Sequence, residues 1–423
     1  DEHSDTEELR VTSEQTGAGG DGGGGSPVRI PLGPSLVVHP SIYIRSVTSV
    51  GVESAHRTHV GNASEMAAVD DDAVDLVVTS PPYPMIEMWD EQFAAQSDTV
   101  VAALDDTDGA RAFEAMHELL DEVWSEVERV LTPGGVAAVI VGDATRSLGD
   151  HFRVYQNHAR VIEAFESLGF DPLPEVLWRK PTNSAAKFMG SGMVPPNAYV
   201  TLEHEYVLLF RNGQAGRSFE PGETRRYESA YFWEERNRWF SDVWTDVRGA
   251  RQARNEDRDA ASARLGGSDG DVDAARASDA VRAAADRDRT AAYPFEIPYR
   301  LVCMYSLYGD TVLDPFLGTG TTTLAAMSAG RNSIGYELDA DVLSELDEHV
   351  GRVRDRSRRV VEDRLAAHRA FVEAQRAEGT VFEYEAEHYD FPVRTRQERE
   401  VQFRVVDAVE ETDDGYRVRY EPV

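Results

Sequence analysis

Apolar residues recur along this chain with two different periods. Val74-Asp75-Leu76-Val77-Val78 and residues 136–141 are short, nearly continuous apolar runs, the length and composition of buried strands in a parallel sheet. Between them Phe113, Met116, Leu120, Val123, Val127 and Val130 return every three or four positions. That spacing predicts an amphipathic helix over 110–131, which Thr132-Pro133-Gly134-Gly135 stops. A second helix is expected over about 154–168, with Val154, His158, Val161, Ile162, Phe165 and Leu168 inward and Gly169 ending it. Further strands are expected at 203–210, 311–313 and 333–336, and further helices at 299–308 and about 340–376. Strands and helices that alternate with short joints predict an α/β fold on a doubly wound, mostly parallel sheet.

Elsewhere the pattern thins. Residues 1–26 are acidic and then glycine-rich, closing on GAGGDGGGGS, and predict a disordered tail. Residues 28–61 hold β-rich pieces such as Ser41-Ile42-Tyr43-Ile44, and a short polar helix is expected after Asn62. The polar stretch 90–108 predicts a long loop. Residues 250–290, rich in Ala, Arg, Asp, Ser and Gly, have no lasting period and predict a flexible insertion. Near the end, Val401, Phe403 and Val405 alternate before Asp413-Asp414-Gly415, and Tyr416, Val418 and Tyr420 after it, as in a β-hairpin.

Charge sharpens this picture. The 423 residues carry a net charge of −33, and lysine occurs only at Lys180 and Lys187. Such a surface suits concentrated cytoplasmic salt, so a halophilic archaeal source is expected, with a GC-rich genome as the plainer alternative. A single cysteine, Cys303, excludes an internal disulfide framework and a cysteine-based metal cluster. No apolar run reaches membrane-spanning length and no signal peptide is visible, so a cytoplasmic location is expected. Residues 176–258 stand apart, because thirteen basic residues there meet eleven acidic ones. Tyr227, Tyr231, Phe232, Trp233, Trp239, Phe240 and Trp244 interleave with those arginines, which points to contact with nucleic acid or to the packing of a small accessory fold.

Two stretches carry chemistry. Thr79-Ser80-Pro81-Pro82-Tyr83 follows the strand at 74–78, at the strand end where open α/β sheets bind ligands. Its prolines have fixed φ and no N–H, so the turn is stiff and its carbonyl oxygens are not all used internally. A rigid acceptor cluster beside an aromatic ring suits a planar substrate with an exocyclic amine. The second stretch, Val312 to Thr323 with sequence VLDPFLGTGTTT, gives a strand end, an acid and a glycine-rich turn opening a helix. It lacks both the lysine of a phosphate loop and the GxGxxG spacing of a dinucleotide site. Glu337, 23 positions after Asp314, suits the ribose hydroxyls of an adenosine-containing cofactor.

Together TSPPY and DPFLGTGTT resemble the amino-methyltransferases of DNA, whose hallmarks are (S/D/N)PPY and DPFxGxGTT. The resemblance covers roughly 57–340 and implies a Rossmann-like, S-adenosylmethionine-dependent methyltransferase fold. The catalytic stretch precedes the cofactor stretch, which resembles the β arrangement and favours a DNA substrate over RNA or protein. The implied parse is a tail at 1–26, a catalytic half at 27–175, a target-recognition region at 176–290, a cofactor half at 291–340, and a C-terminal helix and small β extension at 341–423. Double-stranded DNA is the implied partner, with the target base flipped out of the helix. The Ser80 hydroxyl and Pro81 carbonyl would then accept from the exocyclic amine, Pro82 completing the rigid turn and Tyr83 stacking on the base. Asp314, Phe316, Gly318, Gly320 and Thr321 would line the methionine part of the cofactor, Glu337 its ribose, Phe295 the sulfonium side, and Asn62 the adenine. No metal or covalent intermediate is required. Serine at position 80 resembles the cytosine-N4 group more than the adenine-N6 group. Resemblance to haloarchaeal enzymes suggests CTAG as the target sequence, and a cognate restriction endonuclease as a partner. Competing expectations are an adenine-N6 DNA enzyme, an RNA methyltransferase and a non-catalytic DNA-binding subunit; the complete motif set speaks against the last.

Overall fold

The computed structural model describes residues 53–180, 189–190, 194–196, 198–248 and 293–423. The expectations for 1–26, for Ser41 to Ile44 and for 250–290 lie outside the described residues. Ten strands form one sheet: β1 (Glu53–Val60), β2 (Val74–Thr79), β3 (Leu131–Val141), β4 (Phe170–Arg179), β5 (His204–Asn212), β6 (Val243–Trp244), β7 (Thr311–Asp314), β8 (Asn332–Glu337), β9 (Arg404–Thr412) and β10 (Gly415–Pro422). Their order is β6-β4-β5-β3-β2-β7-β8-β1-β10-β9. The middle five, β3-β2-β7-β8-β1, run parallel.

The parallel strands are apolar on both faces because helices cover both. On one face Val77, Ala137, Val139 and Leu313 meet α1 (Gly109–Val130) and α2 (Asn157–Ser167) through Met116, Leu120, Val127, Val161 and Phe165. On the other, Leu76, Val78, Ala138 and Val312 meet α3 (Glu296–Tyr305) and α4 (Thr321–Ala329) through Leu301, Val302, Ala325 and Ala326. Each fully buried Leu, Val or Phe contributes on the order of 2 kcal/mol. Asp108 caps α1, its carboxylate accepting from the Arg111 N–H at 3.1 Å.

Several local expectations are corrected. Residues 62–73 form turns rather than a helix. Their backbone groups are taken by side chains of α1, with Arg129 donating to the Val69 and Met66 carbonyls and Glu126 accepting from the Met66 N–H. Residues 90–108 hold two short helices, Asp90–Ala94 and Asp98–Asp105, because Phe93, Val100 and Ala103 reach the core. The predicted helix at 154–168 begins at Asn157. Val154 belongs instead to a hairpin, Ala144–Leu148 with His151–Tyr155, turned by Gly149 at φ +56°. The helix at 340–376 is broken into Ala340–Leu343, Glu345–Val350 and α5 (Val353–Ala377). The C-terminal hairpin does form, and it lengthens the main sheet through antiparallel pairing of β10 with β1.

The sheet departs from parallel where β5 runs antiparallel between β3 and β4. β5 starts at the edge where β3 ends, with Tyr206 paired to Val141 and Arg211 to Val136. In the aromatic–arginine region packing accounts for most rings. Phe232, Trp239 and Trp244 are fully buried, Phe232 stacking on His368 of α5 at 3.9 Å and Arg364 lying over Trp239. Trp233 and Phe240 are left exposed.

Candidate active site

Parallel strands end at a common edge, and this edge gathers the candidate residues. β2 leads into Ser80, β7 ends in Asp314 and β8 in Glu337, while β1 leads to Asn62. The Thr79 hydroxyl donates to Asp314 Oδ1 at 2.6 Å, joining the end of the proline turn to the end of β7. Asp314 also accepts from the Phe316 N–H and the Tyr293 hydroxyl, both at 3.1 Å. Tyr293 meets the Thr322 hydroxyl as well, and Thr322 donates to the Val78 carbonyl at 3.2 Å. Burial raises the pKa of the Asp314 carboxyl, and the surrounding hydroxyl and amide donors only partly offset that rise.

Pro81 and Pro82 are buried, and Ser80 and Tyr83 half-buried. The Ser80 hydroxyl donates to the Tyr83 hydroxyl at 3.1 Å, and Tyr83 donates to Glu205 Oε2 at 3.3 Å. Lys180 holds the other oxygen of Glu205. Gly142, just past β3, makes room for this contact, since a Cβ there would stand 3.1 Å from Tyr83 Cε2 and 3.0 Å from Glu205 Cγ. Asn157 fixes the turn from below by donating to the carbonyls of Pro84 and Gly142 at 3.1 and 3.0 Å. His117 Nε2 lies 3.0 Å from Asn157 Oδ1, and burial pushes the pKa of His117 down to about 3. A neutral imidazole thus donates to Asn157 across the neutral pH range. Met85 adopts φ +68°, a left-handed conformation that costs about 1–2 kcal/mol outside glycine and that this surrounding network enforces.

The glycine turn is left-handed at Gly318 (φ +53°) and Gly320 (φ +82°). A Cβ at Gly320 would collide with Leu346 at 2.4 Å, whereas one at Gly318 would meet nothing within 4 Å. The turn is therefore packed on one side and open on the other. Glu337 accepts from the Gly318 N–H at 2.8 Å and the Asp339 N–H at 3.1 Å. Thr321 opens α4, and Phe316 stands edge-on to Trp124 at 5.7 Å. Asn62 is held beside Glu337 by the Gly61 N–H, which donates to the Glu337 carbonyl at 2.9 Å; its own amide donates to Gln96 at 3.3 Å. The structure thus brings Ser80, Tyr83, Asp314, Gly318, Glu337 and Asn62 to one edge. Phe295 packs on Tyr299 at 5.4 Å and under Arg356, while Tyr293, two positions earlier, makes the contact with Asp314.

Sequence reasoning alone does not single out Tyr293, Glu205 or Asn157, and it names Thr79 only as the first residue of the proline stretch, with no role of its own. Tyr293 is visible there only as a neighbour of Phe295, and Glu205 reaches the site because β5 runs antiparallel, against the parallel pattern expected.

This sheet, with a glycine turn, a strand-end acid and an acceptor-lined proline turn at one edge, defines an α/β methyltransferase fold. The profile of the N6/N4 DNA methylase family matches residues 74–348. The type II methyltransferase M.MthZI of Methanothermobacter thermautotrophicus is 45% identical over 353 residues, 83% of this chain and 90% of that protein. M.MjaI of Methanocaldococcus jannaschii, another type II methyltransferase, is 43% identical over 314 residues, 72% and 93% of the two chains. Among solved structures, TTHA0409 of Thermus thermophilus, assigned as a DNA modification methylase and complexed with S-adenosyl-L-methionine, is similar with a TM-score of 0.51. It is 29% identical, over 71% of this chain and 94% of that one. The chain belongs to the N6/N4 DNA methylase family.

Proposed function

We propose that this protein is a type II, site-specific DNA methyltransferase that uses S-adenosylmethionine to methylate the exocyclic N4 of cytosine in a short duplex sequence. The observation that carries this reading is the Thr79–Asp314 bond at 2.6 Å, which sets the serine-proline-proline-tyrosine turn beside the glycine turn. The residues present fit the cofactor: the open side of Gly318 leaves space for a ligand, and Glu337 lies beside it with a carboxylate for ribose hydroxyls. When bound, the cofactor supplies an electrophilic methyl group on a cationic sulfur.

Ser80, whose proton is engaged by Tyr83, presents lone pairs to the amine, and the Pro81 carbonyl is a second acceptor beside it. Both concentrate electron density on the amine nitrogen. Tyr83, braced against Gly142, stacks on the flipped base. Asp314 holds the two turns in register, and alignment of this kind supplies much of the rate. Serine at position 80 supports cytosine over adenine. CTAG is the proposed target sequence, a restriction endonuclease of that specificity the proposed partner, and the acidic surface a solution to salt-rich cytoplasm.

The test incubates the protein in concentrated potassium chloride with unmethylated plasmid and labelled S-adenosylmethionine, then identifies the modified nucleoside by mass spectrometry. N4-methylcytosine that disappears in Ser80→Ala is the expected result. N6-methyladenine would overturn the choice of base, and unlabelled DNA the choice of substrate.

A further inference from the structure

Methylation of an amine creates a problem that the acceptors alone do not solve. As the nitrogen lone pair forms the new N–C bond, the sulfur–methyl bond breaks with its electron pair left on sulfur. The nitrogen then carries one proton too many. Some group must take it, and among the described residues Asp314, Asp143 and Glu205 stand near the turn. Asp314 is saturated by Thr79, Tyr293 and the Phe316 amide. Asp143, beyond Gly142, is engaged by His158, whose Nδ1 lies 2.8 and 2.9 Å from its two oxygens. Glu205 is different, because it is joined to the acceptor itself.

The link has a direction. Ser80 donates to Tyr83 at 3.1 Å, and Tyr83 donates to Glu205 Oε2 at 3.3 Å. Both hydroxyl protons are thus directed toward the carboxylate. Lys180, its ammonium 4.4 Å from the centre of the Trp178 ring, holds the far oxygen of Glu205 and keeps the acid in place. A Cβ at position 142 would crowd both Tyr83 and Glu205, so the glycine there serves the same contact.

We propose that Glu205 is the terminal proton acceptor of the transfer reaction, connected to the exocyclic amine through Ser80 and Tyr83. This rests on the amino-methyltransferase reading above. The amine proton passes to Ser80 Oγ as the Ser80 proton passes to the Tyr83 hydroxyl and the Tyr83 proton to Glu205. The net change is one proton from nitrogen to carboxylate, with both hydroxyls restored. The same polarity explains why Ser80 only accepts from the amine, since its one proton is already given to Tyr83. Glu205 acts through two other groups and is a positioning residue for Ser80 as well as a proton sink.

The experiment measures single-turnover methyl transfer to duplex DNA with saturating S-adenosylmethionine, for the full chain and for Glu205→Gln, Glu205→Ala and Tyr83→Phe. Glutamine keeps the shape of the side chain but cannot take the proton, and phenylalanine keeps the stacking ring but breaks the relay. The expected result is a rate about 10- to 100-fold lower in each, with cofactor and DNA binding within about twofold of the parent. Added formate should restore part of the rate in Glu205→Ala and none in Tyr83→Phe, a readout that lost packing would not produce. Unchanged rates in Glu205→Gln, or losses fully explained by weaker binding, would overturn the proposal while leaving the methyltransferase reading intact. A parent chain that methylates no DNA would overturn both.

Discussion

The acidic residues at the ends of the parallel strands are held in opposite ways at the two edges of the central sheet. At the edge where the parallel strands begin, Arg217 clamps both Asp75 and Asp310, and Arg225 adds a second guanidinium to Asp310 at 3.1 Å. Asp310 is 2% exposed, and burial together with the Asp310 charge raises the pKa of Asp75 against the pull of Arg217. At the edge where the strands end, neither Asp314 nor Glu337 has a guanidinium partner among the described residues. Hydroxyls and backbone amides hold Asp314, and two backbone amides hold Glu337. A carboxylate locked by arginine has its charge committed to the fold, whereas one held by neutral donors keeps charge for a ligand. The difference marks the first edge as structural and agrees with the proposal that the second carries the chemistry.

The sharpest test of the chemical edge is Asp314→Ala. Removing the carboxylate leaves the Thr79 hydroxyl, the Tyr293 hydroxyl and the Phe316 amide without their acceptor, at about 1–3 kcal/mol for each group that stays buried and unpaired. The two turns lose their register. Methyl transfer should fall by more than about a hundredfold, and cofactor binding, followed by calorimetry, should weaken with it. Near-normal turnover in a folded Asp314→Ala variant would remove the basis for calling this edge the active one.

Arg217→Ala tests the opposite edge. It removes the cation that Asp75 and Asp310 share while Arg225 stays on Asp310, and leaving such partly buried carboxylates short of a partner costs about 1–3 kcal/mol. The urea midpoint should drop accordingly, while activity per folded molecule stays unchanged. A variant that keeps its stability but loses turnover would erase the contrast between the edges.

How far these edges are legible in the sequence follows from the kind of signal each carries. The apolar runs at 74–78 and 136–141 and the three-four spacing of 113–130 are local, and they become β2, β3 and α1 within a few residues. The proline and glycine turns are legible because proline and left-handed glycine fix the backbone wherever they stand. Contacts between distant segments leave no such trace. Tyr293 meets Asp314 across 21 residues and Tyr83 meets Glu205 across 122, and the second depends on the reversal of β5. The rings at 232 and 239 look available for stacking on bases because the sequence does not show that α5, more than a hundred residues later, lies against them, nor that Arg300 of α3 lies over Trp244. The helices at 90–105 escape notice because acidic residues surround their few apolar positions, Phe93, Val100 and Ala103.

The mildest expected effect also lies away from the chemical edge, where α5 packs on that region. His368, fully buried on α5, has Nδ1 2.9 Å from Glu234 Oε1 and Nε2 3.0 Å from the Pro392 carbonyl. Both ring nitrogens thus face acceptors, and only the doubly protonated imidazolium can donate to both. Burial pulls the pKa of this histidine down, but the bond to Glu234, its charge, the Pro392 carbonyl and the nearby Glu398 outweigh burial, so the pKa rises above 6.5. A raised folded-state pKa means that protonated His368 stabilises the fold fully below about pH 6.5, and that this contribution fades as pH climbs through the higher folded value. Relative to His368→Gln, which has one donor group and no titration, the parent should therefore lose urea midpoint as pH climbs from about 6.5 through the raised folded value. Methyl transfer, which depends on the other edge, should show no matching difference between parent and variant across that range. An equal decline in both proteins would place the pH-sensitive group elsewhere, and a matching loss of turnover would tie this flank to the chemistry after all.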